Sequence, residues 1–176
     1  MRSLLNEKIN TDRLLVIPIS LKYKKNIFHE FTKKVTIFMY PEPDKDIKKT
    51  EDFINNSIKG LQNGTNLQMV ILAIESKEFL GCVGLHHIDR KTPEFGVWLK
   101  KSAQGNAYGK EAVVAIKDWA DKNLEYEYLL YPVNDVNIAS RKIPEAMGGK
   151  VTREYDDKNI DGSISHVVEY RIYPKK

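Results

Sequence analysis

The 176-residue sequence has one cysteine, Cys82, so an internal disulfide is impossible and a disulfide-stapled secreted scaffold is excluded. No apolar run approaches the roughly 18 residues that a membrane-spanning helix needs. The start, Met1 to Asn10, is polar and charged rather than an export signal. A cytoplasmic protein without membrane association is the expectation. Charge of one sign is also scarce: 28 Lys plus Arg against 24 Asp plus Glu leave a net charge of +4, scattered along the chain, which argues against a nucleic-acid partner despite a pI near 9.0. His86 and His87 are adjacent, so on a strand they point to opposite faces, and no other His or Cys falls at ligand spacing. No metal site is expected. Internal repeats, linkers and low-complexity tracts are missing too, and the length suits one globular domain over residues 1–176.

What is present alternates between strand-like and helix-like periods. Arg13 to Ser20 reads as a strand that Pro18 marks as an edge or an end. Ser20 then caps an amphipathic helix with Leu21, Ile27, Phe28, Phe31 and Val35 inward and a lysine face in solvent. After an aromatic and proline-rich loop, Phe38 to Asp44, a second helix runs from Asp46 to Gln62 with Ile47, Phe53, Ile54, Ile58 and Leu61 inward, closed by Asn63 and Gly64. Leu67 to Glu75, Phe79 to Ile88 and Thr92 to Leu99 read as an antiparallel meander. In its third strand Glu94, Gly96 and Trp98 share one face, and Phe95, Val97 and Leu99 the other. A helix from about Lys110 to Asn123, a strand at Tyr128 to Val133, a helix near Val136 to Met147 and strands at Lys150 to Tyr155 and Ser165 to Tyr173 complete a mixed α/β sheet.

The most informative stretch is Gln104-Gly105-Asn106-Ala107-Tyr108-Gly109, which leads from the third meander strand directly into a helix. A loop of small residues there aims backbone N–H groups at one point, an anion site of the kind that holds phosphate. Gly105, Gly109 and Lys110 approach a nucleotide-binding P-loop, but three residues intervene instead of four, and Glu111 stands where a hydroxyl would hold Mg²⁺. A nucleoside triphosphatase is therefore rejected.

The same residues resemble the pyrophosphate loop of the GNAT superfamily of N-acetyltransferases, closest to its RimJ/RimL-like branch. Lys110-Glu111-Ala112 resembles the helix opening, and Asn137-Ile138-Ala139-Ser140 with Glu145 and Gly148 has the branch's later spacing. Thr11 to Leu14 looks like the opening strand, and Asp161, Gly162 and Val168 to Tyr170 like the last hairpin, so the resemblance runs from Thr11 to Tyr173.

It implies a three-layer fold: a mostly antiparallel twisted sheet of about seven strands, about four helices and a splayed strand pair for acetyl-CoA. Val97, Trp98 and Leu99 would offer backbone groups to the pantetheine arm, Gln104, Gly105, Asn106, Ala107, Tyr108, Gly109 and Lys110 would take the pyrophosphate, and Asn137 would bond the arm. Glu94 matches the base position. The tyrosine acid of many relatives is replaced here by Ile143, Pro144 and Glu145, which leaves the acid role to Ser140 or to water. The plain readings stand beside these: Glu94 as a surface strand carboxylate, Ser140 as an early-helix hydrogen bonder, Cys82 as buried packing. Either histidine of the adjacent pair is a candidate for the acceptor pocket. Ala107 replaces a commoner glycine and is strained by about 1 kcal/mol if its φ is positive. Pro144 should shorten or kink its helix, and Gly149 stands where phenylalanine is common. The implied activity is acetyl transfer to an amine acceptor, either a protein N-terminus or a small amine, by a monomer or homodimer; a coenzyme A sensor without turnover is the alternative.

Overall fold

The computed structural model describes residues 2–39, 43–158 and 162–175. Residues 40–42 of the aromatic and proline-rich loop, and Asp161 of the last hairpin, lie outside them. Strands β1 (Ile9–Asn10), β2 (Leu14–Pro18), β3 (Leu67–Ala73), β4 (Phe79–His86), β5 (Glu94–Leu99), β6 (Leu129–Asn134), β7 (Lys150–Lys158) and β8 (Ile164–Ile172) form one sheet in the order β1-β2-β3-β4-β5-β6-β8-β7. The strand beyond the expected seven is β1, whose two residues are too few to leave a period. Neighbours are antiparallel except β5 and β6.

Among the described residues four α-helices, α1 (Lys24–Glu30), α2 (Ile47–Asn63), α3 (Tyr108–Asn123) and α4 (Ile138–Glu145), lie on this sheet. Strand β5 shows on which side. Trp98 meets the ring of Phe31, just past α1, with centroids 5.0 Å apart, whereas Leu99 borders Gly109 in the first turn of α3. Successive strand residues point to opposite faces, so α1 and α3 cover opposite faces. α2 packs on α1 and β3, and α4 on α3, β6 and β8. The core on the α3 side contains Leu14, Val16, Ile71, Val83, Leu85, Phe95 and Leu129 beneath Val113, Ile116 and Ala120.

Two expectations need correction. The single helix from Leu21 to Val35 is instead a 3₁₀ turn, Leu21–Tyr23, followed by the seven residues of α1, and Ser20 caps nothing with its side chain. The chain leaves helical geometry at Phe31 (φ −79°, ψ 74°), where the ring packs on Trp98, and Thr32, Val35, Thr36 and Ile37 beyond it are β-branched and weak helix formers. In α2, Asp46 caps Lys48 N–H and Gly64 ends the helix at φ 68°, but Phe53 is 43% exposed because the buried stripe runs through Thr50, Ile54 and Leu61.

α4 is shorter than the expected Val136 to Met147, spanning eight residues: Asn137 caps it at the start, and it ends one residue past Pro144. The Pro144 carbonyl accepts the N–H of Gly149 at 2.9 Å, and a Cβ on Gly149 would lie 2.8 Å from that oxygen and 3.1 Å from Ile172 Cγ1. The two departures from the family pattern are thus one contact: the backbone folded back after Pro144 leaves no room for a side chain. Gly149→Ala is expected to lower unfolding stability by about 1–3 kcal/mol in urea titrations; an unchanged midpoint would show that the turn yields.

Candidate active site

Parallel strands β5 and β6 pair only at Glu94 and Leu130, supported by Leu130 N–H to the Pro93 carbonyl at 2.8 Å. Beyond that pair they diverge, and the β6-facing edge of Val97, Trp98 and Leu99 has no strand partner. Their side chains are engaged elsewhere: Val97 and Leu99 pack on the core toward α3, and Trp98 sits among Phe31 and Phe79. What they offer the cleft is backbone.

At the end of β5 a 3₁₀ turn, Lys101–Ala103, leads into Gln104 to Ala107, all exposed, and then into α3. Ala107 precedes α3 without a side-chain cap, so the first N–H groups of the helix, from Tyr108, Gly109 and Lys110, have no intrahelical acceptor. Gln104 donates to the Leu99 carbonyl at 3.2 Å, and Asn106 donates to the carbonyls of Ala103 and Gln104 at 3.3 and 3.2 Å. These side chains shape the loop from within. Gly109 lies between Leu99 and Ile143 of α4; a Cβ there would be 3.6 and 3.7 Å from their methyls, so the helix start wedges between the two arms of the cleft.

Glu111 does not face the loop. It is held by Thr11 Oγ1–H, by the Arg13 main-chain N–H at 3.2 Å and by Arg13 Nε at 2.7 Å, while Arg13 also donates to the Asn106 carbonyl at 3.1 Å and its guanidinium lies 4.7 Å from the Tyr108 ring centroid. The opening strand motif therefore clamps the loop, and the carboxylate that would repel an anion is neutralised. Partial burial opposes ionisation, yet the bonds from Thr11 and Arg13 win and hold the Glu111 carboxyl below its ordinary range. Ala107 has φ 60°, the left-handed region that strains an alanine.

Glu94 points toward the face on which α1 packs. Burial raises its carboxyl above the ordinary value, with His87 opposing and Glu169 adding. His86 is its register partner, and the imidazole lies across two glycines: a Cβ on Gly96 or Gly84 would be 3.2 or 2.9 Å from His86 Nε2. Burial, then His87, lowers the His86 pKa. His87 falls outside β4 at φ 56°, so the expected alternation of the pair ends at His86. Cys82 is buried and its thiol is pushed far up by that burial.

Asn137 and Ser140 lie on the other arm. Asn137 caps α4 by accepting the Ser140 N–H at 3.2 Å, and among the described residues its amide donors have no partner. The Ser140 hydroxyl is 2.8 Å from that of Tyr131 on β6. Leu130 pairs with Glu94, so Tyr131 faces the opposite side of the sheet, the α3 side, where its ring centroid is 6.1 Å from that of Phe95. Glu94 and Ser140 therefore do not meet; they flank the cleft from its two faces. Glu145 accepts from the Tyr170 hydroxyl, and Arg141 bonds Tyr170 and the Asp135 carbonyl, which ties α4 to β8. Tyr131 escaped the sequence reading, and Glu169 entered it only as part of the last hairpin, because only alternation along distant strands brings them here. Among the described residues no three His, Cys, Asp or Glu side chains are placed to hold a metal, and no helix is long and apolar enough to cross a membrane.

A sheet opened at one parallel pair, with an uncapped helix start at its mouth, is the architecture of N-acetyltransferases. Residues 13–150 match the family described as the acetyltransferase (GNAT) domain, and the chain belongs to that family of N-acetyltransferases. No curated protein sequence matches it. Among solved structures, an acetyl transferase from Salmonella typhimurium that modifies the N-terminal serine of 50S ribosomal subunit protein L7/L12 superposes with a TM-score of 0.84 at 15% identity, over 96% of this chain and 100% of that one. RimL, a ribosomal L7/L12 alpha-N-protein acetyltransferase, in complex with coenzyme A gives 0.85 at 15% identity over 96% and 98%. The microcin C7 self-immunity acetyltransferase MccE, in complex with acetyl-CoA and AMP, gives 0.80 at 18% over 93% of each chain. At these identities the likeness is one of fold.

Two outcomes test the loop. The Arg13 side chain is 48% exposed, so its pair with Glu111 is worth about 1 kcal/mol, and Arg13→Met or Glu111→Gln should speed exchange of the position-111 amide, which donates to the Ala107 carbonyl at 3.1 Å, roughly fivefold at neutral pH. A depressed carboxylate stabilises above its unfolded pKa and ceases to as pH falls through its folded one, so parent and variants should converge in acid; equal exchange at neutral pH would show that the clamp holds nothing. Ala107→Gly relieves the positive φ and should raise stability by up to about 1 kcal/mol in thermal melts, and a loss would show that unfolded-state entropy outweighs strain.

Proposed function

We propose that residues 1–176 form a single catalytic domain that takes acetyl-CoA as co-substrate and passes the acetyl group directly to a primary amine in a ternary complex. The single-pair contact of β5 with β6, with the α3 start at its mouth, carries this reading. Acetyl-CoA supplies a thioester open to attack by a neutral amine. The free edge of Val97, Trp98 and Leu99 would bond the amides of its arm as a further strand would, and the amide of Asn137 would approach from the other side. Main-chain N–H groups from Gln104 to Lys110 would hold the pyrophosphate.

Glu94 would take the proton of the attacking amine through water, a role its raised carboxyl suits. Glu169 nearby adds negative charge on the same face and favours a cationic acceptor, a protein N-terminus or a small amine. The printed activities of the ribosomal-protein acetyltransferases of the same fold favour the former. Ser140 would donate its hydroxyl proton in a hydrogen bond to the departing sulfur.

Thiol release with a panel of amines and N-terminal peptides tests these roles. Glu94→Gln and Ser140→Ala should each lower kcat/KM by roughly 10² or more, and a loss under about threefold would remove that residue from its role. Glu94 acts deprotonated, so activity should rise with pH around a midpoint above the ordinary carboxylate value, and Glu94→Gln should abolish that limb. Tight coenzyme binding without acetylation of any amine would instead favour a sensor.

A further inference from the structure

The hydroxyls of Tyr131 and Ser140 lie 2.8 Å apart, and among the described residues neither has another hydrogen-bond partner. Tyr131 is 3% exposed, held in place by its strand and the Phe95 ring, and Ser140 is anchored through its N–H to Asn137. Each hydroxyl has one proton, so one of them donates and the other keeps its proton for a third group. A phenol is the stronger acid and weaker acceptor, which directs the bond from tyrosine to serine. Without this partner a serine in the first turn of a helix turns its proton back toward a preceding carbonyl.

We propose that Tyr131 is the positioning residue for Ser140: its hydroxyl donates to Ser140 Oγ and so turns the serine's own proton into the cleft, toward the departing sulfur. The proposal rests on the reading of Ser140 given above. It also gives the cleft a phenol acting through a serine, from β6, in a chain that lacks the family tyrosine in the middle of α4. Burial pushes the Tyr131 phenol up to about 12, with the Ser140 bond opposing, so it remains a donor throughout neutral pH. No proton leaves Tyr131. When the amine nitrogen bonds the acyl carbon and the carbon–sulfur bond breaks, the electron pair stays on sulfur against Ser140 O–H. The proton removed from the amine balances the one the thiolate later takes up.

The probe is free coenzyme A bound to the protein, its thiolate absorbance followed against pH. A donor aimed at sulfur lowers the thiol pKa. Tyr131→Phe should therefore raise the bound thiol pKa by about one pH unit, with coenzyme affinity changed less than about threefold and kcat lowered roughly tenfold at unchanged KM for acetyl-CoA. Ser140→Ala should raise the thiol pKa at least as far, and the double variant no further than Ser140→Ala alone. A fluorotyrosine at position 131 keeps the packing and strengthens the donor, so it should shift the thiol the opposite way, and it decides the matter alone if Tyr131→Phe does not fold. A parental thiol pKa in both position-131 variants while Ser140→Ala raises it overturns the proposal and leaves the Ser140 reading intact. No shift in Ser140→Ala overturns both, and additive shifts in the double variant overturn the pairing.

Discussion

Neighbouring parallel strands ordinarily bond along their shared length, and a buried backbone group left unpaired costs about 1–3 kcal/mol. β5 and β6 forgo this after one residue pair, so other contacts must keep the arms apart. The first turn of α3 does so between Leu99 and Ile143, and the Arg141, Tyr170 and Glu145 network fastens α4 to β8 on the far arm. The opening is a built feature, and the backbone donors and acceptors it leaves along β5 are the means by which an extended amide-bearing molecule is recognised.

The loop at its mouth faces the opposite difficulty. Free N–H groups at an uncapped helix start gather positive potential, while Ala107 sits in a conformation an alanine disfavours. Thr11 and Arg13 hold Glu111, and Arg13 the Asn106 carbonyl, which braces the strained turn and keeps the carboxylate from quenching that potential. A feature that counted against phosphate binding in the linear sequence becomes part of its support in space.

Local signals were legible. The Gly64 end of α2, the meander, the loop and the conditional strain at Ala107 could be read because each depends on residues within a few positions of one another. The helix after Ser20 was misread for a physical reason: its apolar spacing continues past Phe31, but the contact of Phe31 with Trp98 ends the helix, and no neighbouring residue announces a partner so far along the chain. The same holds at the site. Glu94 and Ser140 carried recognisable spacing, whereas Tyr131, Glu169 and the link from Arg13 to Glu111 exist only once strand register and helix packing bring distant residues together.

Strand β8 lies between β6 and β7, so the latest strand in the sequence occupies an interior place in the sheet. β7 has no other strand to pair with until β8 arrives, and the tether of α4 depends on Tyr170 of β8. A chain emerging from the ribosome can close the β3 to β5 meander on local pairings and add β2 to it across the two intervening helices, but its second arm waits for residues 164–172. The cleft is therefore the last part to take shape, and a nascent chain folds most of its core before it has anywhere to bind.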